Sequence, residues 1–205
     1  GLNLRERSLA LKFESLFPGE TLSASRTFVN GEDYTQYGKM RLFAHGGNNN
    51  PASESANRHF PAVEDTLIGV KSPVELFLRF SPAKDDTNHF YEFRSLVYKG
   101  WAPETNTLEI DLELMTQLKG QILDFESIGL TTTDTTLALN IGDVDVRYVR
   151  ERQEIQATLG EKQYVVRGNP SLNRIKAFTL GLRNRGDMVL DGENELWVDE
   201  LTVDN

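Results

Sequence analysis

Short runs of alternating polar and apolar residues, broken by turn signals, limit what this chain can fold into. The clearest block closes the chain. It reads Tyr164-Val-Val-Arg-Gly-Asn-Pro-Ser-Leu172, then Ile175-Lys-Ala-Phe-Thr-Leu-Gly-Leu-Arg183, then Leu196-Trp-Val-Asp-Glu-Leu-Thr-Val-Asp204. Pro170 has a fixed φ and pushes Asn169 out of the helical region, so the first two runs are strands joined by a tight turn. In the second run Phe178, Leu180 and Leu182 are the greasier set, and a period of two with one apolar face is the pattern of a half-buried strand. Val74 to Phe80 alternates most cleanly: Val74, Leu76, Leu78 and Phe80 against Glu75, Phe77 and Arg79. With His89 to Tyr98, across the polar loop Ser81 to Asn88, it predicts an antiparallel pair.

The same reading finds strands at Ser8–Phe17, Tyr37–Ala44, Leu108–Asp111, Thr131–Leu139, Asp143–Arg150 and Glu154–Leu159, and a short edge strand at Leu67–Val70. Thr21–Val29 reads as irregular and polar, and Gly46–Asn57 as a surface loop. Leu114, Met115 and Leu118 have helical spacing, which predicts one short helix from Leu112 that stops at Gly120. Nine to twelve short strands and one short helix predict an all-β, jelly-roll-like antiparallel β-sandwich of the carbohydrate-binding-module kind. No linker or repeat divides it, so residues 1–205 are expected to form a single domain.

Composition narrows the function classes. A net charge of −9 disfavours nucleic acid as a partner, since phosphate binding needs a basic face. There are no cysteines, hence no disulfides, thiolate nucleophiles or thiolate metal sites. No apolar run is long enough for a membrane helix. Gly1 to Arg7 has no signal core, so a leader is expected to have been removed, or the chain to be a piece of a longer protein.

No motif requires catalysis. His45, His59 and His89 all lie in or beside predicted loops, and no nucleophile elbow or zinc-protease signature occurs. A glycan hydrolase or lyase would need two carboxylates in one cleft. Glu14 in the first strand and Asp199-Glu200 in the last form a candidate calcium site, because first and last strands are often neighbours in jelly rolls and calcium takes six to eight oxygens. Asp85-Asp86 is an acidic pair at a hairpin tip whose turn chemistry needs no metal. Tyr91, Phe93, Trp101 and Trp197 form a candidate sugar-stacking platform, against the plainer reading that they pack inside the sandwich. Gly46–Pro51 is a loop that could wrap a ligand.

Seven stretches, in order, resemble one family. They are Ser8-Leu-Ala-Leu-Lys12, Tyr37-Gly-Lys-Met-Arg-Leu-Phe-Ala-His45, Val74-Glu-Leu-Phe-Leu-Arg-Phe80, Asn88-His-Phe-Tyr-Glu-Phe93, Tyr164 to Leu172, Ile175 to Asn184, and Glu195-Leu-Trp-Val-Asp-Glu-Leu201. Together they are similar to a segment of SprA, the very large outer-membrane protein of Bacteroidetes gliding motility and type IX secretion. The resemblance is thinnest from Ile122 to Gln163. Asp199 stands where the family pattern has Asn, His89-Phe90 replaces an Asn-Tyr pair, and Asn48–Asn57 has no counterpart. The resemblance implies a non-enzymatic structural or docking module of a cell-surface translocon, on the extracellular or periplasmic side of the outer membrane. Its partners would be other domains, subunits or secreted cargo, and it implies neither a cofactor nor catalytic residues. The alternative is a carbohydrate-binding module of jelly-roll type, with a bound glycan and a stabilising calcium.

Overall fold

The computed structural model describes residues 9–46, 73–98 and 106–204. Twelve strands form two antiparallel sheets. β1 (Leu9–Leu16), β12 (Leu190–Asp204), β3 (Lys39–His45) and β6 (Thr107–Asp111) make a four-stranded sheet in that order. The larger sheet runs β2 (Thr21–Glu32), β11 (Ile175–Asn184), β4 (Val74–Ser81), β5 (Phe90–Leu96), β10 (Lys162–Arg167), β9 (Glu154–Leu159), β8 (Gly142–Val149), β7 (Thr132–Leu139). A single α-helix among the described residues, α1 (Leu112–Ser127), follows β6. No described helix is long and apolar enough to cross a bilayer.

Setting β7 to β10 aside exposes the underlying plan. Each connection between the remaining eight strands passes from one sheet to the other, except the β4–β5 hairpin. Two four-stranded sheets linked in this way are the two Greek keys of a jelly roll. The helix and the meander β7–β10 are inserted between β6 and β11, and the meander extends the larger sheet by pairing β10 with β5.

Alternation decides which side chains face inward. Val74, Leu76, Leu78 and Phe80 on β4 are buried against Met40, Leu42 and Ala44 of β3 and Leu196 and Val198 of β12. The small sheet spans four strands, so the meander's inner face needs another cover. That cover is α1, which lies on β9 and β10. Its Leu114, Met115, Leu118, Ile122 and Phe125 are buried, and Phe125 meets Tyr148 of β8 with ring centroids 5.2 Å apart. Asp111 starts the helix, its carboxylate accepting the Leu114 N–H at 2.7 Å, which satisfies a donor that the first turn leaves free.

Two sequence expectations need correction. The helix does not stop at Gly120. Ile122, four residues past Leu118, and Phe125, three further on, continue the stripe, Gly120 faces solvent, and the stop comes at Gly129 with φ +75°. Thr21–Val29 is not irregular but the first part of the twelve-residue strand β2. It pairs with β11 at one edge of the large sheet and is mostly exposed, so it carries little apolar alternation. The expected edge strand at Leu67–Val70 and the loop from 47 onward lie outside the described residues.

Gly168 and Gly181 are fixed by close approach. At Gly168 φ is +62°, and a Cβ there would lie 2.2 Å from the Asn88 carbonyl oxygen. The Asn169-Pro170 turn is thereby clasped to the β4–β5 hairpin, with the Asn169 N–H donating to His89 Nδ1 at 3.1 Å. At Gly181 on β11 the ring of Phe77 lies across the backbone, 2.3 Å from where a Cβ would sit.

Urea denaturation should separate these positions from Gly120. Gly120→Ala is expected to stabilise the protein by about 0.5–1 kcal/mol, because it removes the entropic cost of glycine on an open helix face. Gly181→Ala should destabilise it by about 1–3 kcal/mol, because the Phe77 ring must leave its place.

Candidate functional site

The outward face of the large sheet concentrates the protein's buried charge. Glu75, Glu92 and Glu154 point away from the core by strand alternation, yet each is almost wholly inaccessible to solvent. Arginines cover them. Arg79 donates to Glu92 through Nε at 2.7 Å and Nη2 at 2.6 Å, while Arg94 Nε takes the other carboxylate oxygen at 2.6 Å. Glu75 is held by Arg183 at 3.3 Å and Arg185 at 2.7 Å. Glu154 is held by Arg167 through Nε and Nη2, with Gln156 donating to its second oxygen at 2.7 Å and Arg152 at 3.9 Å. The guanidinium of Arg79 also lies 4.2 Å from the Phe90 ring centroid, and that of Arg167 lies 5.1 Å from it. Each carboxylate thus loses water but gains charged donors, which is the condition for burying it without a large penalty. The charged positions in these runs are visible in the sequence but their pairing is not: Glu92 and Glu154 pair within single hairpins, while Glu75 reaches arginines more than a hundred residues away.

Openings lined by described residues interrupt the surface. A trough of ≈ 460 Å³ lies on the meander's outer face, lined by Asp134, Thr136, Asp145, Arg147, Gln156 and Gln163 among others. A crevice of ≈ 440 Å³ lies where the first turns of α1 meet Tyr37, Gly38, Ser171 and Leu172. A more apolar slot of ≈ 380 Å³ opens between the sheets beside β2.

The candidate sugar platform is not assembled. Tyr91 and Phe93 point into the core at 2% and 1% exposure. The Tyr91 hydroxyl donates to the Pro170 carbonyl at 3.2 Å, and burial pushes its pKa up to about 12. Phe93 packs edge-on against Tyr164. Trp197 belongs to the other sheet, where it is half-buried and stacks on His45 with centroids 5.3 Å apart. Trp101 lies outside the described residues.

The calcium candidate splits on register. β1 and β12 are neighbours, as expected. Leu9 pairs with Val198 and Phe13 with Asn194, so Glu14 and Asp199 lie at opposite ends of the pairing, on the order of 20 Å apart. The Glu200 side chain is not among those described, and no cluster of three metal-ligating side chains occurs among the described residues. At the hairpin tip the Asp86 carboxylate accepts the N–H groups of Asn88 and His89, both at 2.8 Å, a local turn bond of the kind aspartate favours. Of the histidines, His45 is buried beside Trp197 and His89 serves the Asn169 turn. His59 and most of Gly46–Pro51 lie outside the described residues.

Glu92→Gln keeps the side chain's shape but leaves two guanidiniums over an uncharged amide, and should cost about 2–4 kcal/mol in urea denaturation. The half-exposed Glu109, paired with Lys39 at 2.5 Å and Arg41 at 2.9 Å, should tolerate the same change with less loss. His45 supplies a pH test. Burial holds its pKa below the ordinary histidine value, against a smaller opposing pull from Glu195. The folded state therefore resists protonation more than the unfolded chain does. The stability this histidine contributes is full above about pH 6.5 and is lost as pH falls through the lowered folded value. The urea midpoint should drop between pH 7 and pH 5, and His45→Gln should flatten that drop.

No family model and no curated protein matches this chain.

Proposed function

We propose that this chain is a non-enzymatic β-sandwich module of a cell-surface or outer-membrane assembly resembling the SprA translocon of type IX secretion, where it serves as a structural or docking domain. One observation carries this reading: where the resembling stretches fall. They lie on β1, β3, β4, β5, β10, β11 and β12, and on the turn at Gly168-Asn169-Pro170. These are jelly-roll strands plus the strand that joins the meander to them. The thinnest part, Ile122 to Gln163, corresponds to the second half of α1 and the outer strands of the meander. A resemblance that follows the jelly-roll framework and fades over the insertion suits a scaffold that carries its own docking element.

Glycan binding is the second reading, and the trough favours it over the aromatic platform. Its carboxylates, amides, hydroxyls and guanidinium can exchange hydrogen bonds with a polyhydroxylated ligand, although no ring lines it for stacking.

Immobilised protein exposed to a detergent extract of the source organism's outer membrane, with bound proteins identified by mass spectrometry, tests the first reading. A glycan array run in parallel tests the second. Enrichment of secretion-machinery components with a blank array is the expected result. A specific glycan signal that is lost in Arg147→Ala or Gln156→Ala, with no membrane partner retained, would replace the docking module by a carbohydrate-binding one.

A further inference from the structure

We propose that β2 is a docking edge that accepts an extended segment of a partner protein as a ninth strand, with alternate apolar side chains of that segment filling the slot between the sheets. This goes beyond the proposed function and stands whichever assembly the module belongs to.

The first observation is the edge itself. Among the described residues no strand pairs with the far side of β2. An open edge offers a row of backbone N–H and C=O groups, and proteins that must not pair there blunt it with brevity, charge, proline or bulges. β1 and β6 show such devices, whereas β7 is as open as β2 but borders only the polar trough. β1 carries an irregularity between Phe13 and Ser15, and β6 is five residues long and bears Glu109 and Asp111. β2 is twelve residues long. From Thr21 to Thr27 it pairs with β11 without interruption, contains no proline, and has Arg26 as its one charge. The irregularity in this pair comes later, beyond Thr27.

The second observation is the slot. It borders β2 and is lined mainly by Leu9, Ala24, Phe178, Leu180, Val198 and Leu201, reaching Leu42 and Leu78 within, with Ser25, Arg26 and Asp199 as its polar members. Leu9 and Leu201 remain 44% and 48% exposed, although both strands belong to the sandwich. The inward row of β2 is Leu22, Ala24 and Arg26, and Ala24 is too small to fill the space beside it. A strand added to β2 would send every second side chain to the same side as that row. Backbone pairing supplies affinity, and the slot selects the side chains.

The occupant's chemistry follows from the rows. Its inward side chains opposite Leu22 and Ala24 are apolar and larger than alanine. Opposite Arg26 it carries a carboxylate, since Arg26 lies over the Phe28 ring at 5.3 Å and forms no ion pair among the described residues. Its outward side chains face Ser23, Ser25 and Thr27 and are small and polar. A second copy of this chain fits poorly, because its own β2 would bring an alanine and an arginine to a slot that takes larger apolar groups.

The test uses the whole protein and a synthetic peptide, Lys-Thr-Glu-Thr-Val-Thr-Val-Thr-Lys, which sets its glutamate opposite Arg26 in the antiparallel register. Amide hydrogen exchange should slow over Thr21–Thr27 on adding the peptide and stay unchanged in β7. Replacing the peptide's glutamate by lysine should weaken binding about tenfold or more. Ala24→Lys, which puts a charge at the slot's mouth on an exposed residue, should do the same while leaving the thermal melt in place. Exchange at β2 that does not change at millimolar peptide overturns the proposal. So does equal binding of a peptide whose polar and apolar positions are exchanged. Concentration-dependent dimerisation abolished by Ala24→Lys would overturn it in favour of a second copy as the occupant.

Discussion

An eight-stranded sheet has an inner face that must be covered along its whole width, and this requirement organises the molecule. The small sheet covers the jelly-roll half. The other half would expose Val144, Val146, Tyr148, Ile155, Ala157 and Val166, all of them buried in this structure. α1 closes that gap, and its five-residue apolar stripe merges with the sandwich core in one cluster. The insertion is therefore self-covering: the same stretch of chain brings the extra strands and the helix that buries them. A sheet extended without such a layer would leave a broad apolar surface in water.

The outer face of that sheet is solved differently. Among the described residues no further layer lies on it, and side chains lie flat across neighbouring strands instead. Phe77 rests on Gly181, Arg79 and Arg167 cover Phe90, and three glutamates lie beneath arginines. The long arginine stems shield apolar surface while their heads meet carboxylates and solvent. This explains how residues such as Phe90 and Val165 can be buried on an exposed face.

Strand content was legible wherever one face of a strand meets the core, because burial imposes the period of two. Val74–Phe80 and Ile175–Arg183 show this plainly, and the jelly-roll class followed from many such runs. β2 escaped because an edge strand with both faces largely wet has no apolar period to read. Gly120 invites a premature stop for the helix because glycine often punctuates, whereas the apolar spacing through Ile122 and Phe125 carries the better signal. Neighbourhood of β1 and β12 could be anticipated but register could not, and register is what separates Glu14 from Asp199. Likewise alternation alone assigns Tyr91 and Phe93 to one face without saying which face is inside. The arginine–glutamate groupings join Glu75 to Arg183 and Arg185 across more than a hundred residues, a distance over which local pattern carries no information.

The pairing of the first strand with the last has a mechanical side. Leu9 begins β1 beside Val198, and β12 runs on to Asp204 at the same end of the small sheet. Tension applied at those two ends would load the β1–β12 ladder one rung at a time, peeling it open instead of shearing all its hydrogen bonds together. Resistance to stretching is a matter of unfolding rate more than of equilibrium stability, and a ladder loaded rung by rung yields at low force. Under pull the small sheet would give way first, while the large sheet, buttressed by α1 and bound across its outer face by arginines, would hold its shape.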